Sequence, residues 1–479
     1  MDRRDVVIIG GGAGGLVVAS IASQLGLATT LVEAEPQLGG DCLHYGCVPS
    51  KALIQAARMA AQVREAGRFG LDAHLGPVQL DAVMNHVAGV IAELQQHDDP
   101  ERFRAYGCEV LNGRARFTGP DQIRVGERTL SARRFVLATG SSAFVPPIPG
   151  LADAGFLTNR EIFSLRRLPA RLAVLGGGPI GVELAQAFAR LGSRVTVIQR
   201  GPRILPREDE DLVLALQQVM QDDGVEFCFN AEVEQVSRQD GARLLHCRSG
   251  DAMQQIAADE ILVAVGRTPN VQDLGLEEAG VAFDRRGVTV DRHLRSSNRR
   301  IYACGDVCGP YQFTHMAEYQ AGVVIANALF RLPQKVDYGV VPWVTYSDPE
   351  LARVGLSEAE AREQGVAVDV LRFDFAANDR AVIERAPQGC VKLLVRRGSR
   401  WRGGGRIVGA AILGSHGGEL LHEIALAMRS GARIGSVAAT IHAYPTRAQI
   451  LRRAANRRYA GTLFSPLSRM LAGLINRTY

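Results

Sequence analysis

Lysine is the residue that this sequence most conspicuously lacks. It occurs only as Lys51, Lys335 and Lys392 among 55 basic residues, so arginine fills every other cationic position. This bias suggests a skewed base composition in the coding sequence. A lysine that is retained at a reactive position despite this bias is expected to provide what arginine cannot, a compact ammonium with a tunable pKa. The net charge of +5 is too small to indicate a nucleic-acid partner.

Features of secreted and membrane-spanning chains are also missing. The first apolar run, residues 6–9, leads directly into glycines without the charged start and cleavage site of a secretory signal. We find no apolar run of 18 or more residues and expect no transmembrane helix. The eight cysteines show no framework spacing, so we expect a cytoplasmic protein.

A glycine-rich motif follows the first apolar strand. Gly10, Gly12 and Gly15 fit the pattern G-x-G-x-x-G and open an apolar helix. Such glycines permit a tight turn and let a pyrophosphate approach the helix N-terminus. Glu33 ends the next strand, where an acid would hold a ribose hydroxyl. The sequence therefore predicts a dinucleotide site here.

A second unit of this kind begins with the apolar run 171–175. Its motif glycines are Gly176, Gly178 and Gly181. The residue 23 positions past the first glycine is Glu33 in the first unit but Gln199 in the second, where Arg200 and Arg203 follow. An acid repels a 2′-phosphate, whereas an arginine binds it. We therefore expect NADPH rather than NADH, with solvated arginines as the alternative interpretation.

Residues 39–51, GGDCLHYGCVPSK, contain two cysteines five positions apart. Cys42 and Cys47 can close a short disulfide loop at little entropic cost and open into two thiols. Such a pair is more often catalytic than structural in an intracellular enzyme. Lys51 and the helix predicted over 51–65 would supply the positive electrostatics that a thiolate needs. Two ordinary buried thiols are the alternative.

These motifs, in this order over nearly the whole chain, resemble the flavin-dependent pyridine nucleotide–disulfide oxidoreductases. That family includes dihydrolipoyl dehydrogenase, glutathione reductase and mercuric reductase. The resemblance implies that Cys47 faces the flavin as the charge-transfer thiolate and that Cys42 exchanges with the substrate. It further implies that Lys51 lies near the flavin N5 and pairs with Glu183.

The resemblance also implies an FAD site in the first unit, completed by Asp306 after the strand 301–303. Further cofactor contacts are expected in the turns that end equivalent strands of the two units: Thr139, Gly140 and Gly266. Cys304 and Cys308 bracket Asp306 with C-x3-C spacing. They are interpreted as small residues in a tight turn, with a second redox pair or a soft-metal site as the alternative.

The implied fold is α/β, with two Rossmann-like dinucleotide-binding domains and a C-terminal α+β dimerisation domain that forms a homodimer. We expect an FAD domain with the redox disulfide at 1–150, an NAD(P) domain at 151–270, a return to the central FAD domain at 271–341 and the dimerisation domain at 342–479. The basic amphipathic tail, 451–479, is expected to pack on the dimer or fray. Contact with a membrane surface or a partner protein is the alternative.

The family pattern breaks near the C-terminus. There the family brings a His-Pro-Thr…Glu segment to the partner's disulfide, where the histidine, oriented by the glutamate, shuttles protons. This chain reads IHAYPTRAQ over 441–449, with Tyr444 at the place of the histidine and Gln449 at that of the glutamate. A phenol, with a pKa of about 10, is a poor proton shuttle at neutral pH. His442 stands two residues away and would need a different backbone path.

We therefore expect an enzyme that passes electrons from NADPH through FAD and Cys42–Cys47 to a soft metal ion or small electrophile. Tyrosine in place of the histidine resembles mercuric reductase, but residues 460–479 lack the cysteine pair with which that enzyme hands over Hg(II). One alternative is a dihydrolipoyl dehydrogenase or other disulfide reductase that uses His442 or water. Another is a redox-sensing flavoprotein with weak turnover.

Overall fold

The computed structural model describes residues 2–398 and 404–477. It divides into two compact units, each of which is described by itself. The first is formed by Met1–Arg200 and Glu226–Asp337, and the second by Gly201–Val225 and Tyr338–Tyr479. None of the helices in the described ranges is both long and apolar enough to cross a membrane.

The strands follow the apolar runs of the sequence. Those of the first unit are β1 (Asp2–Ile9), β2 (Thr29–Glu33), β3 (Cys108–Asn112), β4 (Ala115–Gly119), β5 (Gln122–Val125), β6 (Arg128–Leu137), β7 (Ser141–Ala143), β8 (Arg171–Leu175), β9 (Arg194–Gln199), β10 (Val225–Phe229), β11 (Glu232–Gln239), β12 (Ala242–Ser249), β13 (Ala252–Ala258), β14 (Glu260–Val263), β15 (Arg267–Pro269), β16 (Phe283–Asp284), β17 (Gly287–Val288) and β18 (Ile301–Ala303). Those of the second are β19 (Pro342–Thr345), β20 (Glu350–Gly355), β21 (Val368–Asp374), β22 (Cys390–Arg396) and β23 (Ile407–Gly414).

Helices connect most of these strands. They are α1 (Ala13–Gln24), α2 (Gly40–His44), α3 (Cys47–Glu65), α4 (Leu80–Gln95), α5 (Pro100–Ala105), α6 (Leu151–Ala154), α7 (Pro179–Leu191), α8 (Glu210–Asp222), α9 (Thr314–Ala328), α10 (Glu358–Glu363), α11 (Asp379–Ile383), α12 (Gly417–Arg429), α13 (Ile434–Ala439), α14 (Gln449–Leu463) and α15 (Pro466–Ile475). Short 3-10 turns occupy Ala66–Phe69, Gln96–Asp98, Ile162–Ser164 and Phe375–Ala377.

The first nucleotide motif lies at the carboxyl edge of a sheet with the strand order β3-β2-β1-β6-β5-β4, in which β18 also pairs with β6. β1 runs parallel to β2 and β6, and Ile9 is in register with Val32 and Leu137. β18 places Ala303 opposite Leu137 as well. The turns after β1, β6 and β18 therefore meet at one edge, which is where open α/β sheets bind ligands.

The second nucleotide motif is placed in the same way. Its sheet has the order β10-β9-β8-β14, with β8 parallel to β9 and β14. Leu175 pairs with Ile198 and Val263, so the residues that follow these three strands share one edge. A separate antiparallel sheet, β11-β12-β13, packs its apolar side chains into the core of this region.

The second unit is built on a five-stranded antiparallel sheet with the order β19-β20-β23-β22-β21. Helix α12 packs against β20 and β23, and α14 packs against β21 and β22. β22 is buried along almost its whole length, although its third residue, Lys392, is charged. Its Nζ lies 3.0 Å from Asp209 Oδ2 and 2.8 Å from Asp211 Oδ1, and it also pairs with Glu358.

We predict that Lys392→Ala destabilises the chain by about 3–5 kcal/mol, because the partly buried carboxylates lose their counter-charge. Calorimetric melting of the FAD-loaded protein measures the change. The matched control is Lys335→Ala, which removes the same side chain at an exposed position. Equal melting temperatures for the two variants would contradict the structural role of Lys392.

Candidate active site

The backbone of the first glycine motif leaves no room for side chains at two positions. Gly10 has φ +109°, and a Cβ there would lie 2.3 Å from the carbonyl oxygen of Ala138. A Cβ on Gly15 would lie 1.9 Å from the Gly10 oxygen. At Gly12, by contrast, a Cβ would meet nothing closer than Gly40 at 3.8 Å. The open space at the N-terminus of α1 fits the pyrophosphate of a dinucleotide.

Glu33 has a structural contact that the sequence does not reveal. Its buried carboxylate accepts a hydrogen bond from the backbone N–H of Gly11 at 2.6 Å and one from Glu35 at 2.8 Å. The side chain therefore fixes the glycine turn itself. Its place at the end of β2 is the one predicted for a ribose-binding acid, and that role stays a prediction.

Asp306 belongs to a polar network that joins the carboxyl edge of the sheet to the cysteine loop. Ser141 Oγ donates to Asp306 Oδ2 at 2.6 Å and accepts from Arg267 Nε at 2.7 Å. Another nitrogen of Arg267 lies 2.9 Å from Asp41 Oδ2, next to Cys42. Burial raises the pKa of the Asp306 carboxyl, while Ser141 and Arg267 act in the opposite direction. Sequence reasoning missed Arg267, although it directly follows Gly266.

Hydrogen bonds join the turn at Thr139 and Gly140 to Asn270, which directly follows β15. Thr139 Oγ1 donates to the Asn270 carbonyl at 2.8 Å, and Asn270 Nδ2 donates to the Thr139 carbonyl at 2.8 Å. β7 and β15, which follow Gly140 and Gly266, form an antiparallel pair. The predicted flavin-site residues of this sheet edge are therefore brought together, and they fit FAD.

The two cysteines of the redox loop lie on different helices. Cys42 is in α2, and Cys47 is the first residue of α3, which begins four residues before the predicted Lys51. Cys47 Sγ lies 3.4 Å from Thr314 Oγ1, the first residue of α9. Cys47 thus lies at the positive N-terminal ends of two long helices, which favour a negative charge.

The electrostatics distinguish the two thiols. The pKa of Cys47 is lowered to about 6, first by the hydrogen bond from Cys42 and then by the positive charge of Lys51 and the Thr314 hydroxyl, although burial and the Glu183 charge act in the opposite direction. The pKa of Cys42 is raised by its hydrogen bond to Cys47 and by burial. At neutral pH the dithiol therefore holds its negative charge on Cys47 and its proton on Cys42. This division agrees with the roles that the resemblance implies.

Lys51 and Glu183 form the ion pair that the resemblance predicts. Lys51 Nζ lies 2.9 Å from Glu183 Oε2 and 3.2 Å from Ser50 Oγ. Glu183 lies on α7, and its side chain is 6% exposed. The pair therefore connects the helix that begins at Cys47 with the helix of the second nucleotide motif.

The second glycine motif repeats the geometry of the first. Cβ atoms on Gly176 and Gly181 would lie 2.5 Å from the Ala264 oxygen and 2.0 Å from the Gly176 oxygen, whereas the surroundings of Gly178 are open. Gln199 Oε1 accepts from Gly177 N–H at 2.9 Å, as Glu33 does from Gly11. The neutral amide of Gln199 therefore holds the glycine turn as Glu33 does, but it carries no negative charge. This edge fits a nicotinamide dinucleotide.

The two arginines after Gln199 have protein partners. Arg200 lies 2.6 Å from Glu232 and is exposed. In the second unit, Arg203 donates to the carbonyl oxygens of Glu208 at 2.9 Å and Pro206 at 3.2 Å. The positive charge of Arg200, next to Gln199, is thus partly balanced by Glu232.

His442 and Tyr444 belong to the second unit and differ in exposure. The imidazole of His442 is 5% exposed, with Nε2 3.1 Å from Glu423 Oε2 and Nδ1 3.0 Å from the Thr440 carbonyl. Tyr444 is 68% exposed. A hydrogen bond to Asp379 raises the pKa of its phenol. The imidazole is therefore held inside its own unit, while the phenol is accessible.

The remaining cysteine and acidic clusters have plain explanations. Burial raises the pKa of Cys304 to about 12 and that of Cys308 well above its ordinary value, so both are thiols at neutral pH. Over 2–398 and 404–477, one trio of close carboxylates could hold a metal ion, the one around Lys392. The Lys392 ammonium already contacts all three of these carboxylates.

Two family models match the chain. The model described as pyridine nucleotide-disulphide oxidoreductase matches residues 4–321, and the model of the dimerisation domain of these proteins matches residues 341–455. The first covers more than half of the chain. The second supports a homodimer.

Known proteins agree with these matches. A mercuric reductase from Bacillus cereus is 32% identical over 449 residues, which are 94% of this chain and 70% of the relative. A dihydrolipoyl dehydrogenase from Geobacillus stearothermophilus is 34% identical over 459 residues, 95% and 96% of the two chains. The structure of a Cu(II) complex of the HOCl-induced flavoprotein disulfide reductase RclA from Escherichia coli has a TM-score of 0.85 at 28% identity and covers 95% of this chain and 100% of that chain. The predicted family and fold class are confirmed.

We predict that Lys51→Ala raises the pKa of Cys47 by about one unit, because the thiolate loses a nearby cation and Glu183 loses its counter-charge. Iodoacetamide alkylation of Cys47 against pH measures this, in a Cys42→Ser background that keeps a hydroxyl donor. We expect a midpoint near the pKa of about 6 before the change. Lys51→Arg, which keeps the charge, should leave it nearly unchanged. Equal midpoints in all three proteins would refute the electrostatic role.

Proposed function

Because the chain belongs to the flavin-dependent pyridine nucleotide–disulphide oxidoreductases, we propose that it passes electrons from NADPH through FAD and the Cys42–Cys47 pair to a soft metal ion. The observation that carries the choice of acceptor is the accessible phenol of Tyr444 where the family pattern has a histidine. A thiol product must be protonated as it leaves, whereas a reduced metal ion needs no proton.

The redox loop would contribute as follows. When bound, FAD would accept a hydride from NADPH and supply two electrons to the disulfide. Lys51 and the N-termini of α3 and α9 hold the negative charge on Cys47. Cys42 keeps its proton until a thiophilic metal ion replaces that proton at its sulfur. Each NADPH yields NADP⁺, a proton and two electrons, which reduce one Hg(II) to Hg(0) or two Cu(II) to Cu(I).

Tyr444 would help at the metal in its neutral form. The hydrogen bond to Asp379 raises the pKa of the phenol and therefore disfavours phenolate at neutral pH. A neutral phenol offers an oxygen ligand and a hydrogen-bond donor, but it transfers protons poorly. The resemblance implies that this residue of one subunit would reach the disulfide of the other.

The relatives supply independent support for a metal acceptor. Mercuric reductases from Bacillus cereus, Staphylococcus aureus and Streptomyces lividans are 32–34% identical to the chain. One of the similar structures is a Cu(II) complex of the reductase RclA. Both Hg(II) and Cu(I) prefer sulfur ligands. A centre that needs reduced thiols suits a reducing compartment, and we place the protein in the cytoplasm.

A second candidate function is dihydrolipoyl dehydrogenase activity. Relatives of that name are 32–36% identical, and the His442–Glu423 pair has the chemistry of a proton-shuttling dyad. Its burial and the additional contact with the Thr440 carbonyl argue against this use. A redox sensor with weak turnover, the third possibility, would reduce neither metal ions nor lipoamide at a steady rate.

The test compares acceptors after anaerobic reduction by NADPH. We expect Hg(II) or Cu(II), offered as thiol complexes, to discharge the reduced enzyme repeatedly, with lipoamide far slower. Tyr444→Phe should lower metal turnover about tenfold and leave reduction by NADPH unchanged. Tyr444→His combined with Gln449→Glu should raise lipoamide turnover by about 10²-fold or more, the range of general acid–base catalysis. Rapid lipoamide turnover by the unaltered enzyme would overturn the proposal, and discharge by no acceptor would favour the sensor.

NADPH is the nicotinamide we propose, because Gln199 removes the acid that would repel a 2′-phosphate and Arg200 lies beside it. Gln199→Glu tests this cleanly, since Glu33 shows that a carboxylate can hold the same glycine turn. We expect KM for NADPH to rise about tenfold, equivalent to ~1.4 kcal/mol, and KM for NADH to change little. Arg200→Gln should act in the same direction. Equal effects on both nucleotides would contradict the NADPH assignment.

A further inference from the structure

The C-terminal helix α15 keeps its apolar side chains exposed. In the preceding helix α14 the buried face, Ile450, Leu451, Ala454 and Ala455, ends at Arg458. Beyond it the apolar residues are largely accessible: Leu463 63%, Phe464 63%, Leu467 60%, Met470 56% and Leu471 48%. α15 has no buried residue. Packing within the described chain therefore does not explain why these positions are apolar.

The helix is specified by its own sequence. Ser465 caps it, because its side chain accepts from Ser468 N–H at 3.2 Å, and Pro466 occupies the first turn. Leu467, Met470 and Leu471 recur at the spacing that places them on one face, and Leu474 continues it. Ser468 and Arg469 lie on the other side. α15 is thus an amphipathic helix with an unusually exposed apolar stripe.

The charged side chains of the C-terminal part of the sequence are of one sign. No acidic residue occurs after Glu423, whereas nine arginines do: Arg429, Arg433, Arg447, Arg452, Arg453, Arg457, Arg458, Arg469 and Arg477. Among them, Arg447 pairs with Glu384 at the end of α11, and Arg458 pairs with Asp369 of β21. Arg469 on α15 and Arg477, two residues after its end, are both exposed. A surface that complements this segment must be both anionic and apolar.

We propose that the segment 463–477 is an interfacial anchor that binds the surface of a bilayer containing anionic lipids. A helix with an exposed apolar stripe, arginines and no acids is typical of such anchors, which lie in the headgroup region and do not cross the membrane. The apolar stripe of Leu467, Met470, Leu471 and Leu474 would enter the boundary between the lipid headgroups and the acyl chains. Arg469 and Arg477 would contact the headgroups.

A second copy of the chain is the competing occupant, and two observations disfavour it. The family dimerisation match ends at residue 455, before this segment begins. A second copy would also bring the same cationic segment, without an acid of its own, to the symmetric contact. The lipid surface supplies the opposite charge and the apolar layer together.

Vesicle flotation of the FAD-loaded full chain tests the proposal. We expect the protein to float with vesicles that mix phosphatidylglycerol and phosphatidylcholine, and about tenfold less with pure phosphatidylcholine, because an anionic surface attracts Arg469 and Arg477. High salt should weaken binding, because it screens the headgroups. A protein that remains below both kinds of vesicle would overturn the proposal.

Variants separate the two parts of the anchor. Leu467→Ser with Leu471→Ser should abolish flotation, and Arg469→Gln with Arg477→Gln should remove the preference for phosphatidylglycerol. The matched control is Leu71→Ser, at a position 63% exposed outside the segment, which should float like the parent. All variants should keep flavin reduction by NADPH. If the leucine variants instead lower the molar mass measured by light scattering, the stripe is covered by a second copy and the proposal fails.

Discussion

A negative charge on one sulfur, that of Cys47, is the constraint on which the rest of the site depends. The Cys42 hydrogen bond, the Lys51 ammonium, the Thr314 hydroxyl and the first turns of α3 and α9 all favour it. Glu183 acts against it, but holds Lys51 in place at 2.9 Å. A thiolate that is stable near neutral pH can face an electron carrier, while its protonated neighbour waits for an acceptor. The different roles of the two cysteine side chains therefore have an electrostatic cause.

The parallel sheets bring the nucleotide sites to their carboxyl edges. In both nucleotide motifs, the glycine turn is held by the side chain that ends the neighbouring strand, the carboxylate of Glu33 in the first and the amide of Gln199 in the second. The second motif thus keeps the hydrogen bond that holds the turn and lacks the negative charge, and the proposed choice of NADPH depends on that difference. Arg267 then joins the sheet edge of Asp306 to Asp41 of the cysteine loop.

The sequence predicted those parts of the site that depend on local pattern. Glycine spacing located both turns, and the cysteine loop and the Lys51–Glu183 pair followed from the family resemblance. Contacts between distant segments could not be read in this way, because side-chain partners such as Arg267 and Asp41 are 226 positions apart. A helix end that supplies positive electrostatics to the thiolate was expected at Lys51, but α3 begins four residues earlier, at Cys47 itself and before Pro49. The tail was expected as one amphipathic segment and forms two helices broken at Phe464–Ser465.

The most direct test of this account is an anaerobic titration that counts the NADPH equivalents taken up per bound FAD. If Cys42 and Cys47 form a disulfide in electronic contact with the flavin, the oxidised enzyme should consume about twice as many equivalents as a Cys42→Ser variant, because two further electrons open the disulfide. The extra electrons should appear as two thiols that react with a disulfide reagent. Equal uptake by the two proteins, with no new thiols, would contradict the central role of this pair.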